Sequence, residues 1–220
     1  MAPSGPEPAP TAADDPADDP ALVAVLTSAR DRRLLGSGPI DGHIHHAAVF
    51  VGAAGGVPTT LLDLGSGAGV PGLVLARAWP TTQIVLLDSA ARRGDFLEEA
   101  VAALGMSDHV RVVVARAENA GRDPSLREAF AVVTSRSFGP PAVTAECGVA
   151  FLAAAGLLLV SEPPAAPPDR WPPDGLAKLG LVDAGVTATA RAHVRQLRRH
   201  GTLDQSIPRR DGIPAKRPLF

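Results

Sequence analysis

The chain has little cysteine: Cys147 is the only one in 220 residues, which rules out an internal disulfide. It also lacks a long apolar run. The longest, Val149 to Val160 (VAFLAAAGLLLV), falls well short of the roughly 20 residues needed to cross a bilayer, and its Gly156 reads as a helix end followed by a buried strand. The N-terminus has neither the basic region nor the apolar core of a secretory signal, so a reducing cytoplasm without membrane attachment is the expectation. Net charge is small, at -2, which hides an asymmetry. Residues 1 to 20 carry five acids and no base, in a Pro/Ala-rich context too polar to bury a core, and are expected to be a disordered tail. Residues 189 to 220 carry eight bases against two acids. A basic end with interleaved apolar residues fits an ordered segment that presents positive charge to a polyanion.

What is present is an alternation of helical and extended patterns. Ala21 to Leu35 and Ile40 to Ala54 have helical spacing, with GSGP at Gly36 to Pro39 between them, so residues 21–56 read as a helical extension ahead of a domain over 57–220. Apolar runs suited to strands end at Asp63, Leu87, Ala115, Ser135 and Ser161. Helices are expected from Val70, over Ala90 to Leu104 and over Pro141 to Ala154. Val186 to Ala190 and His193 to Leu197 fit a closing antiparallel pair. Alternating β and α segments imply an α/β fold with a mostly parallel sheet covered on both faces, and ligands in such sheets bind beyond the carboxyl ends of the strands.

One stretch carries most of the chemistry. TLLDLGSGAGVPG, Thr60 to Gly72, runs a strand through a glycine turn into a helix. Gly67, Gly69 and Gly72 satisfy a dinucleotide fingerprint, G-x-G-x-x-G. Asp63 argues against that cofactor, because an acid at the strand end would meet the pyrophosphate. Read from Asp63 the string is D-x-G-x-G-x-G, which suits a cofactor bearing an amino group and a sulfonium, as S-adenosylmethionine does. Asp88, at the end of the next strand, can accept the hydroxyls of a ribose in either case.

Other familiar devices are missing. The segment VVTSRSFGPP around Ser135 lacks the Asn/Asp-Pro-Pro-aromatic string of exocyclic-amine methylation. Cys147, inside a helical pattern, reads as a buried small residue and not as the nucleophile that ring-carbon methylation needs. His43, His45 and His46, three imidazoles on one helix turn, read as packing or surface residues, so no metal is expected. A ring nitrogen with a free lone pair requires none of these devices; alignment and electrostatics suffice.

LLDLGSGAGVPGLVLA, VLLDSAARRGDFL, VARAEN, VVTSRSFGPP and IPRRDGIPAKRPLF together resemble the bacterial 16S ribosomal RNA guanine-N7 methyltransferases, the glucose-inhibited division protein B family. The resemblance implies a class I S-adenosylmethionine-dependent methyltransferase, with a Rossmann-like, seven-stranded, mostly parallel sheet and N-terminal helices. Its substrate would be 16S ribosomal RNA or the small ribosomal subunit, and a monomer is expected. By position, the cofactor would lie against Asp63, Gly65, Ser66, Gly67, Gly69 and Val70, with Asp88 on the ribose, Ala117 and Glu118 beside the adenine, and Arg136 closing the site. Arg136 suits a phosphate or carboxylate; a structural ion pair with Glu118 is the competing role. Arg92, Arg93, Arg209, Arg210, Lys216 and Arg217 would contact RNA phosphates.

The chain also departs from the family. LLGSGP replaces an Asn-Leu-Thr string, HIHHA (His43 to Ala47) keeps only the first residue of His-x-x-Asp-Ser, and Asp95 and Glu162 stand where the family tends to carry bases. A carboxylate at Glu162 near incoming RNA would repel it. A small-molecule methyltransferase on the same fold, or a non-catalytic ribosome-associated protein, are the readings that compete.

Overall fold

The computed structural model describes residues 15–167 and 169–220, so most of the acidic tail lies outside the described residues. Its last part is ordered, contrary to the expectation from composition. Pro16–Asp18 form a 3-10 turn, and the Asp19 carboxylate then caps helix α1 (Pro20–Asp31), accepting from the backbone amides of Ala21 and Leu22. Pro20 at the first helical position loses nothing by having no N–H there. Helix α2 (Ile40–Ala54) stops at Gly55, whose φ of 71° only glycine adopts cheaply.

From there the chain alternates: β1 (Thr60–Leu64), α3 (Gly72–Ala78), β2 (Gln83–Asp88), α4 (Ala91–Ala103), β3 (Val110–Val114), α5 (Ala117–Ala120), β4 (Phe130–Ser135), α6 (Pro141–Val149), β5 (Leu152–Glu162), α7 (Pro173–Ala177), β6 (Leu181–Ala188), β7 (His193–Arg199) and α8 (Ile213–Lys216). The strands form one seven-stranded sheet in the order β3-β2-β1-β4-β5-β7-β6. Neighbours from β3 to β5 run parallel, and β7 is antiparallel to both β5 and β6. The closing antiparallel pair is longer than its apolar pattern implied, and β5 starts earlier than expected, at Leu152. The helix anticipated to Ala154 ends at Val149 because a bulge, with Ala155 at φ 59°, lets β5 pair with β4 on both sides of it.

Side chains alternate across the sheet, so every central strand feeds two cores. Leu61, Ile84, Leu86, Val132, Leu157 and Leu159 face α1 to α4. Leu62, Leu64, Val85, Leu87, Val133, Leu158 and Val160 face α6 and α7. The N-terminal helices therefore complete one face of the core. Leu22 and Leu26 of α1 are fully buried there, each contributing about 1.5–3 kcal/mol.

Candidate active site

The strand order reverses beside β1, with β2 on one side and β4 on the other, and the cleft opens at the carboxyl ends of these strands. It has two lobes of about 290 Å³ each, which share Gly65, Arg93 and Ser137. Leu87, Asp88, Ala117, Glu118, Phe138 and Cys147 line the first, and Ala215 reaches it from the C-terminal segment. Leu34 to Gly36, His43, Ser66 to Ala68, Val70 and Arg136 line the second.

The glycine turn is built from inside. Gly65 and Ser66 donate their amides to the Leu87 carbonyl, Gly67 donates to Asp88 Oδ2 at 2.9 Å, and Gly69 donates to the Ser66 carbonyl. Gly65, Gly67 and Gly69 all have positive φ. Around Gly65 and Gly69 a Cβ would collide with Phe138 and Leu73, whereas at Gly67 it would meet nothing closer than 3.8 Å. Gly67 is thus the glycine whose missing side chain leaves space for a ligand.

Asp63 occupies a different place from the one its sequence position implied. It is fully buried beneath the turn, with Oδ1 accepting from the Thr134 hydroxyl at 2.8 Å and Oδ2 from the Gly72 amide at 3.1 Å. It therefore does not line the cleft. The buried Asp63 disfavours a dinucleotide, because the first amide of α3, where a pyrophosphate would dock, already holds a carboxylate. Burial pushes the Asp63 carboxyl up to about 6, against the pull of Thr134, Gly72 and Ser66. Gly69 likewise packs inward, against Leu73 and Leu97.

Asp88 is buried at the cleft wall. Its Oδ1 accepts from the Ala90 amide at 2.9 Å, and its Oδ2 takes Gly67 together with a longer contact of 3.4 Å to Arg93. A carboxylate has about four lone-pair sites, so capacity remains for a ribose hydroxyl. Glu118 accepts from Arg116 at 3.1 Å and from the Gly212 amide at 3.0 Å, which rules out the ion pair with Arg136 considered above. Burial and the carboxylates of Glu118 and Glu146 push the Cys147 thiol well above its ordinary range, making it a poor nucleophile.

Arg136, half-buried, donates from Nη2 to His43 Nδ1 at 2.8 Å. The other imidazoles diverge: His45 meets Asp15 at 2.8 Å, and His46 meets Ser161 Oγ at 2.9 Å. His43 is a member of the cleft that its helical setting does not reveal in the sequence. The retained first position of the family string was the available signal.

Among the residues expected to hold RNA, Arg92, Arg93, Arg210, Lys216 and Arg217 are exposed. Arg209 is not free for RNA. Its Nε and Nη2 donate to Glu146, at 2.9 and 2.6 Å, and its backbone amide donates there too. Glu162 is also corrected: it is buried, accepting from Trp171 Nε1 at 2.7 Å and Arg170 Nε at 3.2 Å, and so shows incoming RNA no bare charge. Among the described residues, no helix is long and apolar enough to cross a membrane.

Residues 40–162 match the family model described as rRNA small subunit methyltransferase G. Ribosomal RNA small subunit methyltransferase G of Chloroflexus aggregans is 32% identical over 88% of this chain and 82% of its own length. The protein of the same name from a Synechococcus species is 31% identical over 74% of this chain and 72% of its own. Among solved structures, a methyltransferase from Geobacter sulfurreducens superposes with a TM-score of 0.60 at 17% identity, covering 82% of this chain and 89% of that one. The O-methyltransferase TomG from Streptomyces achromogenes, solved in complex with SAM, gives 0.59 at 16% identity over 84% and 91%. At such identities these two likenesses establish the fold.

Proposed function

The chain belongs to the rRNA small subunit methyltransferase G family, S-adenosylmethionine-dependent enzymes of the class I fold, and from that premise we propose that it methylates N7 of a guanine in 16S ribosomal RNA. The observation that carries the reading is the two-lobed cleft, with Asp88 on one lobe and Arg136 in the other, around an α3 N-terminus already filled by Asp63. When bound, S-adenosylmethionine supplies an electrophilic methyl group on a sulfonium. In this proposal Asp88 holds the ribose, Glu118 and Ala117 flank the adenine, and Gly65, Gly67 and Val70 leave room for the rest of the cofactor. Arg136 faces the second lobe, where the acceptor would enter.

Guanine N7 carries an in-plane lone pair, so no residue has to remove a proton before attack. The chain's own work is then to align the base and exclude water, which suits a cleft whose cysteine is buried and inert. Arg93 at the junction of the lobes, Arg92 beside it, and Arg210, Lys216 and Arg217 near Ala215 give RNA a cationic approach. Glu162 no longer favours a small acceptor, since its charge is taken up by Arg170 and Trp171. The large apolar side chains exposed among the described residues, Val57, Val114, Val182 and Val186, are scattered, which supports a monomer.

Incubating the protein with labelled cofactor and undermethylated small subunits, or their naked RNA, tests the proposal. Label recovered as 7-methylguanine is expected. Transfer to small acceptors with none to RNA would overturn it.

A further inference from the structure

His43 sits between two groups that together fix its protonation. Its Nδ1 faces Arg136 Nη2 at 2.8 Å, and its Nε2 faces the Gly36 carbonyl at 3.3 Å. A guanidinium has donors only, so Nδ1 must accept; a carbonyl only accepts, so Nε2 must carry the proton. One tautomer of the neutral ring satisfies both contacts. The chain of bonds runs from the connection between α1 and α2, through the imidazole, to the guanidinium in the second lobe.

We propose that His43 is the positioning residue of the site: it holds the Arg136 guanidinium over the second lobe by accepting its N–H at Nδ1, while the Gly36 carbonyl locks the ring in the accepting tautomer. Arg136 needs such a partner. It is half-buried, Asp63 lies near enough to attract it but is bonded to Thr134 and Gly72, and no carboxylate is bonded to Arg136 among the described residues. A neutral acceptor steers the guanidinium without neutralising it, which leaves its charge for whatever enters the lobe. The charged and titratable groups facing His43 are Arg136 from the end of β4, Arg30 from α1, and His46 one turn along α2. Burial disfavours a proton on the ring and both arginines add to it, against the pull of the Gly36 carbonyl, so His43 is held below its ordinary range and stays neutral at neutral pH.

The kinetic part of the test rests on the methyltransferase reading, but the spectroscopic part does not. In the ligand-free protein, imidazole 15N spectra should show His43 as the Nε2–H tautomer, and Arg136→Met should raise its titration midpoint measurably. A midpoint that does not move would overturn the contact. In kinetics, His43→Asn places an amide oxygen where Nδ1 was and loses the bond to Gly36. His43→Gln reaches toward Gly36 and leaves Arg136 without its acceptor. With positioning as the role, His43→Asn keeps kcat within about 3-fold, whereas His43→Gln loses about 30-fold or more at unchanged melting temperature. The acid limb of the wild-type kcat profile that tracks the His43 midpoint should vanish in His43→Asn. The reverse order, Gln active and Asn inactive, would mean that His43 only tethers α2 to the preceding loop, and would overturn the proposal. Wild-type protein inactive on every RNA would count against the methyltransferase reading alone, leaving the spectra to decide on His43.

Discussion

Arg209 wraps the carboxylate of Glu146, a fully buried residue on α6, with its side chain and its own backbone amide at once. This ties down the C-terminal segment whose Ala215 reaches the first lobe of the cleft. The same segment is held by Arg116 to Asp211 at 3.1 Å and by Glu118 to the Gly212 amide. Removing one partner of a buried pair strands the other charge, so Arg209→Ala should cost about 3 kcal/mol of stability. Arg210, exposed next to it, should cost about 0.5 kcal/mol or less when changed to alanine, and should weaken RNA binding instead. Urea unfolding and salt-dependent RNA binding on the two variants separate the roles. Equal stability losses would refute the assignment.

The difference between neighbouring arginines marks where sequence stops being informative. Strands β1, β2 and β4 are readable to within a residue at their carboxyl ends because buried parallel strands need continuous apolar runs bounded by turns. Asp88 could be placed at the cleft for the same reason, as the first polar residue after such a run. Which partner a charged side chain finds is decided by residues far away in the chain: Glu146 for Arg209, Trp171 and Arg170 for Glu162, His43 for Arg136. Asp63 was placed at the right strand end, yet strand pairing turns it inward, beside Leu61's face and against Thr134. The early start of β5 is not legible because the apolar run from Val149 to Val160 is continuous and shows neither period, so a helix segment and a strand read alike there.

The glycines of the turn should respond unequally. A Cβ on Gly72 would lie 2.4 Å from Leu86 Cδ2 and 2.7 Å from Asp63 Oδ2, so Gly72→Ala must displace the core, at about 2–4 kcal/mol. Gly67 faces open space, and Gly67→Ala pays mainly for its φ of 58°, about 1 kcal/mol. Gly67→Arg should fold while filling the second lobe, with calorimetric affinity for the cofactor reduced by about 10-fold or more. Unchanged affinity in that variant would remove the lobe from the cofactor site.

Asp63 gives a second contrast. Asp63→Ala strands the Gly72 amide and the Thr134 hydroxyl in the interior, at about 2–4 kcal/mol. In Asp63→Asn the amide oxygen can accept from Gly72 while its NH₂ donates to a reoriented Thr134 hydroxyl, limiting the loss to about 1 kcal/mol. If Asp63 instead touched the cofactor, the two variants would lose cofactor affinity together at similar stability. Chemical denaturation and calorimetry on the pair distinguish the cases.

The pH dependence of stability carries two opposed contributions. Burial, with Arg136 and His43 adding to it, lowers His46 from 6.5 to about 4, so its contribution is complete above pH 6.5 and is lost as pH falls toward 4. Asp63 runs the other way: raised from 3.8 to about 6, its neutral form is favoured in the fold, and that contribution is lost as pH rises through this window. His46→Gln keeps a polar group near Ser161 Oγ but cannot titrate. Because the imidazole is only half-buried, solvent screening reduces its share to about 1–2 kcal/mol. Between pH 6.5 and 4 the wild type should therefore lose about that much more stability than His46→Gln does, and Asp63→Asn should lose more over the same range than the wild type. Urea unfolding midpoints followed across this range check both slopes, and parallel curves for all three proteins would show that neither group is held as the structure describes.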